Sequence, residues 1–280
     1  MRYREFLTFL TPKDKLIYTV GACLSRLGVK SSGFERLKNE RMFLLKAKEL
    51  NFLASAAKNE LMLERDFVKV SLRQNSSDQE VFEQIFFSDE YGPVIECIQA
   101  NDVGISTIVD AGSNIGLSSL KFLWAFRNAK IICLEPDPEN FAQLSKNLAT
   151  HQNVVLLKQA LWHRDEKLFL SDKFRDQKHW SRSVSPVNTE SQFSIQGVSV
   201  NDLIRKYNIE SIDLLKIDIE GSENAIFNES NDLSFLAKVK VIAIEIHDEF
   251  NCRKRIYELL RYHKFVLFSS GELTVGLKIY

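Results

Sequence analysis

Two groups of residues in this 280-residue chain have the types and spacing to do chemistry. The first is Asp110-Ala111-Gly112-Ser113-Asn114-Ile115-Gly116, followed 23 residues after Gly112 by Glu135. A glycine turn between a strand and a helix lets the backbone come close to a ligand. An acid about 20 residues further on is then placed to accept both hydroxyls of a ribose. A carboxylate suits a diol because it accepts two hydrogen bonds at once. The second group is Lys216, Asp218 and Glu220, with Glu245 and His247 downstream. A carboxylate or an imidazole can take a proton from an alcohol, and oxygen ligands can hold Mg²⁺.

The first group is not a dinucleotide fingerprint. Gly-x-Gly-x-x-Gly requires a glycine at position 114, where a pyrophosphate meets bare backbone, and Asn114 stands there. S-adenosylmethionine (SAM) has no phosphate, and an Asp-x-Gly-x-x-x-Gly loop serves it. The expected SAM-binding residues are Asp110, Gly112, Ser113, Asn114, Gly116 and Glu135, with Ala160 after the third strand leaving room for the adenine. Asp110 can order the loop and lie near the ammonium group of the ligand. Gly112 supplies a positive φ, and Gly116 allows close packing of the following helix. Two other readings remain for such a loop. One is a nicotinamide-dependent oxidoreductase, against which Asn114 counts. The other is a non-catalytic module that keeps SAM as a structural ligand.

In the second group, alternate residues of a strand share a face, so Lys216, Asp218 and Glu220 have one parity on the fourth strand. Glu245 and His247 have one parity at the end of the fifth. Ligands of doubly wound sheets bind outside the carboxyl ends of the strands, so all five groups should gather near the cofactor. Asp218 is the first choice as general base or metal ligand, and Glu245 and His247 are the alternates. Asp218, Glu220 and Glu245 could together hold a divalent metal. Lys216, Asp218 and Glu220 could instead form a buried ion network that only shapes the site.

The elements that must position these groups follow from apolar periodicity. From Thr107 onward, short apolar runs alternate with helical stretches: Thr107–Val109, Ile131–Leu134, Val154–Leu157, Leu214–Ile219, Val241–Ile246 and Phe265–Phe268. That is the pattern of an α/β, doubly wound, mostly parallel Rossmann-like sheet. Ser269-Ser270-Gly271 then turns the chain into a last, antiparallel strand from Leu273. Helices are expected from Leu117 to about Phe126, after an N-cap at Asp137 with Pro138 at the first position, and from Ser77 to Ser88. In the last of these, Ser77 and Glu80 have capping-box spacing. Residues 34–63 mix apolar residues with charges of both signs and lack Gly and Pro, which reads as helix. A helical extension over 1–66 and a catalytic domain over 67–280 are therefore expected.

The early basic residues, among them Lys13, Lys15, Arg26 and Lys30, fit either a contact with a membrane surface or a helix docked on the main domain. The polar segment from Asp172 to Gln196 breaks the alternation. Its Lys178, His179, Trp180 and Arg182 suit a sugar face or a solvated loop.

Composition narrows the function classes. The formal net charge is zero, which gives no field to draw in nucleic acid. No Asn-Pro-Pro-Tyr-type base-flipping motif occurs, so a nucleic-acid acceptor is not expected. Four scattered cysteines without a Cys-x-x-Cys pair indicate neither a disulfide framework nor a zinc knuckle, and fit the reducing cytoplasm. The apolar run Leu16–Leu24 is too short to span a bilayer.

Three blocks resemble the FkbM-type methyltransferases: Ile108 to Gly116, Leu134-Glu135-Pro136-Asp137-Pro138, and Leu214-Leu215-Lys216-Ile217-Asp218-Ile219-Glu220-Gly221-Ser222-Glu223. The segment from Ser77 through Tyr91 is similar to that family's lead-in helix. The resemblance covers about residues 70–250. It implies a seven-stranded methyltransferase sheet, SAM as methyl donor, and O-methylation of a hydroxyl on a small-molecule or glycan acceptor such as a sugar or polyketide-derived product.

Overall fold

The computed structural model describes residues 3–57, 60–74, 76–171, 183–186 and 194–279. The chain packs as two compact units, Met1–Phe87 and Ser88–Tyr280.

The N-terminal unit begins with helices α1 (Tyr3–Phe6), α2 (Pro12–Arg26) and α3 (Ser32–Glu49). It continues in an antiparallel sheet of β1 (Leu53–Ala57), β2 (Glu60–Arg65) and β3 (Val68–Arg73), and ends with α4 (Asp78–Phe82) and a π-helical turn, Glu83–Phe87. The strands correct the helical expectation for residues 50–63. Mixed composition without Gly or Pro does not separate a period of 2 from a period of 3.6. The buried side chains settle it: Leu61 faces Leu72 and Leu63 faces Val70 across β2 and β3, all buried, while Glu64 opposite Lys69 carries charge. Asn51 (φ 63°) follows the end of α3, and Asp66 (φ 56°) turns the hairpin. The unit closes at 87/88, beyond the expected 66/67, because Phe82 and Phe86 pack their rings on Phe52 and Phe82 also meets Phe43. The expected capping box is not formed. Ser77 is the N-cap of α4 without a side-chain bond, and Asp78 instead accepts from Arg73 N at 2.8 Å and from the Arg73 guanidinium.

The larger unit holds α5 (Gly92–Ala100), β4 (Thr107–Ala111), α6 (Leu117–Ala125), β5 (Lys130–Leu134), α7 (Pro138–Asn147) and β6 (Val154–Leu157). Next come β7 (Gln159–Leu161), β8 (Lys167–Ser171), β9 (Ser183–Ser185), β10 (Ser194–Val198) and α8 (Val200–Lys206). The chain ends with β11 (Ile212–Ile217), α9 (Glu223–Ile226), β12 (Val239–Glu245), α10 (Arg253–Tyr262), β13 (Phe265–Ser270) and β14 (Leu273–Lys278). The main sheet has the order β13-β14-β12-β11-β4-β5-β6. All described pairs are parallel except those of β14, which lies antiparallel between β12 and β13. The expected seven-stranded, mostly parallel sheet with an antiparallel last strand is present.

The two middle strands are buried along almost their whole length, as strands covered on both faces must be. α7 starts where expected: Asp137 accepts from Glu139 N (2.9 Å) and Asn140 N (2.8 Å), with Pro138 at the first helical position. A second, four-stranded sheet, β7-β10-β8-β9, was not legible in the sequence. Its small core consists of Ala160, Trp162, Leu168 and Ile195.

At the amino ends of the middle strands, buried Asp213 accepts from Ser106 N (2.7 Å) and Thr107 N (2.9 Å), and Lys240 pairs with its other oxygen at 2.7 Å. Asp213→Ala leaves these donors unpaired and should cost about 2–4 kcal/mol. Urea unfolding should show this loss, with ligand affinity below the transition unchanged, because the site lies at the other end of these strands.

Candidate active site

Strand order reverses between β4 and β11, so the crevice of the sheet opens at their carboxyl ends. In register, Lys216 of β11 stands opposite Asp110 of β4. Both are buried. The Lys216 Nζ lies 3.3 Å from Asp110 Oδ1 and 3.6 Å from Asp218 Oδ2, and it donates to Gly112 O at 2.7 Å. Asp110 Oδ2 accepts from Ser118 Oγ (2.7 Å) and Ser119 Oγ (2.5 Å). Burial acts against charge on Lys216, but the fields of Asp110 and then Asp218 outweigh it and hold the ammonium pKa above its ordinary value.

The loop after β4 is held by its own backbone. Gly112 N and Ser113 N donate to Leu134 O at 3.0 and 2.9 Å, and Ser113 Oγ donates to Asp110 O at 2.7 Å. Asn147 Nδ2 donates to Ile115 O at 2.9 Å. Gly112 has φ 76°, and a Cβ there would lie 1.7 Å from the carbonyl oxygen of Asp218. The close approach at Gly112 is thus made by the turn after β11. Gly116, at φ 90°, packs against Leu144 and Leu148 at the end of α7, where a Cβ would lie 2.9 Å from the first. Asn114 adopts φ 49°, a conformation asparagine tolerates better than most residues.

Glu135 follows β5 and is buried. Its Oε2 accepts from Asn114 N at 2.8 Å and its Oε1 from Asp137 N at 2.9 Å. Burial raises its pKa to about 7, against the opposing effect of the Asp137 N–H. Ala160 is the middle residue of β7, where its methyl belongs to the core of the small sheet.

The parity argument for the second group breaks at Ile217, where β11 ends. Asp218 and Glu220 lie in the turn beyond it, with Glu220 at φ 53° and Gly221 at φ 89°. Asp218 N donates back to Ala111 O at 3.1 Å. The turn nevertheless brings the expected groups together. His247 Nδ1 lies 3.1 Å from Glu223 Oε1, and its Nε2 lies 3.4 Å from Glu220 and 3.5 Å from Glu245. Side-chain ligand atoms of Asp218, Glu220 and His247 all fall within 4.8 Å of one another, so these three could hold a metal ion. This set has His247 where Glu245 was expected.

Burial disfavours charge on His247, but hydrogen bonds to Glu220 and Glu223 outweigh it and raise its pKa to about 10. Burial, and then Asp218, raise the Glu245 pKa to about 8. The side chains of Asp218, Glu220 and Glu245 are 30%, 18% and 15% exposed, whereas that of Glu223 is fully buried. The first three can meet a ligand, and Glu223 can only hold its neighbours.

Glu223 was not singled out by sequence reasoning, although its place three residues after Glu220 signals a shared turn. Tyr91 was missed as a neighbour of the site. It is buried, and burial followed by the charges of Glu90, Asp218 and Asp110 raises its phenol pKa. Lys178, His179, Trp180 and Arg182 lie outside the described residues.

The fold and the site define a nucleotide-crevice α/β protein of the methyltransferase type. The Methyltransferase FkbM domain family matches residues 110–267, and the chain belongs to this family of methyltransferases. The family implies SAM as methyl donor. The 2-O-methyltransferase NoeI of Sinorhizobium fredii (strain NBRC 101917 / NGR234) is 27% identical over 51% of this chain and 63% of its own length. The chain thus spans less than two thirds of that relative. Methyltransferase sdnD of Sordaria araneosa is 27% identical over 55% of this chain and 71% of its own. Among solved structures, precorrin-6y C5,15-methyltransferase from Geobacter metallireducens GS-15 covers 62% of this chain and 81% of its own, at 13% identity and a TM-score of 0.38.

Gly112→Ala adds a Cβ at positive φ and drives it into the Asp218 carbonyl. The variant should lose about 3 kcal/mol or more of stability, read as a lowered melting temperature.

Proposed function

We propose that this protein transfers the methyl group of SAM to a hydroxyl oxygen of a sugar, glycan or related natural product. The observation that carries this reading is the convergence of Asp218, Glu220, Glu245 and His247 directly beside the Gly112 turn, at the point where strand order reverses. The residues around the turn fit SAM. Each Glu135 oxygen takes one backbone N–H and keeps a second lone pair for a diol, and Asn114 stands where a phosphate would need glycine. The resemblance to NoeI, named a 2-O-methyltransferase, supports an oxygen as the atom that is methylated.

When bound, SAM supplies an electrophilic methyl with a good leaving group, so the chain must align the acceptor oxygen and deal with its proton. In this reading Asp218, the most exposed acid of the cluster, accepts the hydroxyl proton. Lys216 and Asp110 are positioning residues that fix the two turns. His247 carries a proton between carboxylates and so orients Glu220 and Glu245 rather than acting as the base. Glu245, its pKa raised to about 8 by burial and then Asp218, already holds a proton at neutral pH and becomes an alternate proton acceptor only above that range.

A second reading gives Asp218, Glu220 and His247 a divalent metal, supported by the spacing of their ligand atoms. The ion would have to displace the proton held on His247.

Glu135→Gln should weaken SAM binding by roughly 10–100-fold, as for the loss of a hydrogen bond to a charged group. The pKa of Glu135, raised to about 7 by burial, adds a sign. If the ionised carboxylate binds the diol, wild-type affinity should hold at alkaline pH and fall as pH drops through about 7, by up to roughly tenfold per unit. The variant should lose this dependence. Calorimetry showing unchanged affinity and pH response in the variant would remove Glu135 from the cofactor site.

Asp218→Asn keeps shape and removes charge. As general base, its loss should lower the rate by roughly 10²–10⁴ with SAM binding near normal. In the metal reading, EDTA abolishes wild-type activity and Mg²⁺ or Mn²⁺ restores it. A folded, fully active Asp218→Asn enzyme excludes both roles.

A further inference from the structure

Helix α2 packs on one side and is bare on the other. Tyr18 and Gly21 are buried, and the Tyr18 ring meets Phe6 and Phe34 at 5.0 and 5.4 Å. A Cβ on Gly21 would lie 2.5 Å from that of Phe34, so α2 and α3 are closely joined on this face. On the opposite face Leu16, Val20, Leu24 and Leu27 follow at intervals of four, four and three residues. That spacing puts them in one line along the helix. Their exposures are 66%, 46%, 36% and 78%, and Val29, beyond the helix end, is also exposed.

The exposed charges of the segment that carries this stripe have one sign. Between Thr11 and Lys30 the exposed charged residues are Lys13, Lys15, Arg26 and Lys30. The one acid in the segment, Asp14, is half-buried and bound to Arg36 at 2.5 Å. A solvated helix face would carry these side chains interspersed with acids and few large apolar groups. A two-fold contact with a second copy would bring four cations against four, which opposes association.

We propose that this face of α2 docks the protein on an anionic lipid surface. The apolar stripe enters the boundary between headgroups and acyl chains, and the four basic side chains rest on the lipid phosphates. The surface is independent of the methyl-transfer reading, since it uses no residue of that site.

The test is co-sedimentation of the full-length protein with vesicles of phosphatidylcholine, alone or mixed with phosphatidylglycerol. The wild type should bind the mixed vesicles, less so as salt rises, and leave the neutral ones. Leu16→Ser with Val20→Ser should reduce binding by roughly tenfold or more, since these side chains supply the buried apolar area. Lys13→Gln with Lys15→Gln should reduce it roughly fivefold for each charge removed. All four positions are exposed, so the melting temperature should stay within about a degree of wild type. Three outcomes would overturn the proposal. One is absence of binding to the mixed vesicles. Another is binding that survives both double variants. The third is self-association of the wild type, without lipid binding, that Leu16→Ser with Val20→Ser abolishes, which would make a second copy the occupant.

Discussion

An ammonium group buried between the two middle strands of a sheet sets the conditions for everything around it. Lys216 lies opposite Asp110 in register, and neither reaches solvent. Taking either charge out of water alone would cost several kcal/mol, so each requires the other and further polar contacts. Lys216 finds them in Gly112 O and Asp218, and Asp110 in Ser118 and Ser119. The consequence is geometric. One cation touches the loop after β4 and the turn after β11, so the two cannot move apart without stranding a charge. Their contact is close enough that the Asp218 carbonyl occupies the space of a side chain at 112, which leaves glycine as the residue that fits.

The same turn gathers more carboxylates than its cations can balance. Asp218, Glu220, Glu223 and Glu245 stand around His247 and Lys216. Two responses to this excess are visible. His247 is held as a cation, with its pKa raised to about 10 by its acidic partners against the cost of burial. Glu245 holds its proton up to about pH 8 through burial and the field of Asp218. Buried Glu223 faces inward and also draws the backbone N–H groups of Ile219 and Gly221 at 3.4 Å. The cluster thus separates into an inner pair, Glu223 and His247, and an outer set that solvent and ligands can reach.

The glycine loop after β4 was legible in the sequence because its constraints are local. A positive φ at 112, a helix N-cap at Asp137 and an acid at the end of the second strand each leave a fixed residue type at a fixed spacing. The sheet order was legible for a similar reason, since parallel strands buried on both faces read as short apolar runs. What failed depended on distant packing. Residues 53–57 and 60–65 have a composition that suits a surface helix, and strand pairing such as that of Leu61 with Leu72 and Leu63 with Val70 makes them strands. Asp218 and Glu220 were placed by strand parity, yet the strand stops at Ile217 and a left-handed residue at Glu220 re-aims the chain. The small sheet that packs Ala160 with Trp162, Leu168 and Ile195 was not legible either, because its strands are short and separated in sequence.

Under the proposed function, the outer set of the cluster also bears on the acceptor. Its side chains open to solvent are acids: Asp218, Glu220 and Glu245, the last holding its proton up to about pH 8. A neutral polyol donates hydrogen bonds to such groups and gains from them. A phosphate or carboxylate on the acceptor would instead meet like charge at short range, where low dielectric strengthens repulsion. The compensating cations do not relieve this, since Lys216 and His247 lie buried behind the acids rather than facing outward. A hydroxyl approaching Asp218 therefore finds an acceptor for its proton and, among the described residues of the cluster, no outward-facing cation. This arrangement favours sugar-like alcohols over phosphorylated substrates, and the preference comes from where the two cations are buried rather than from the net charge of zero.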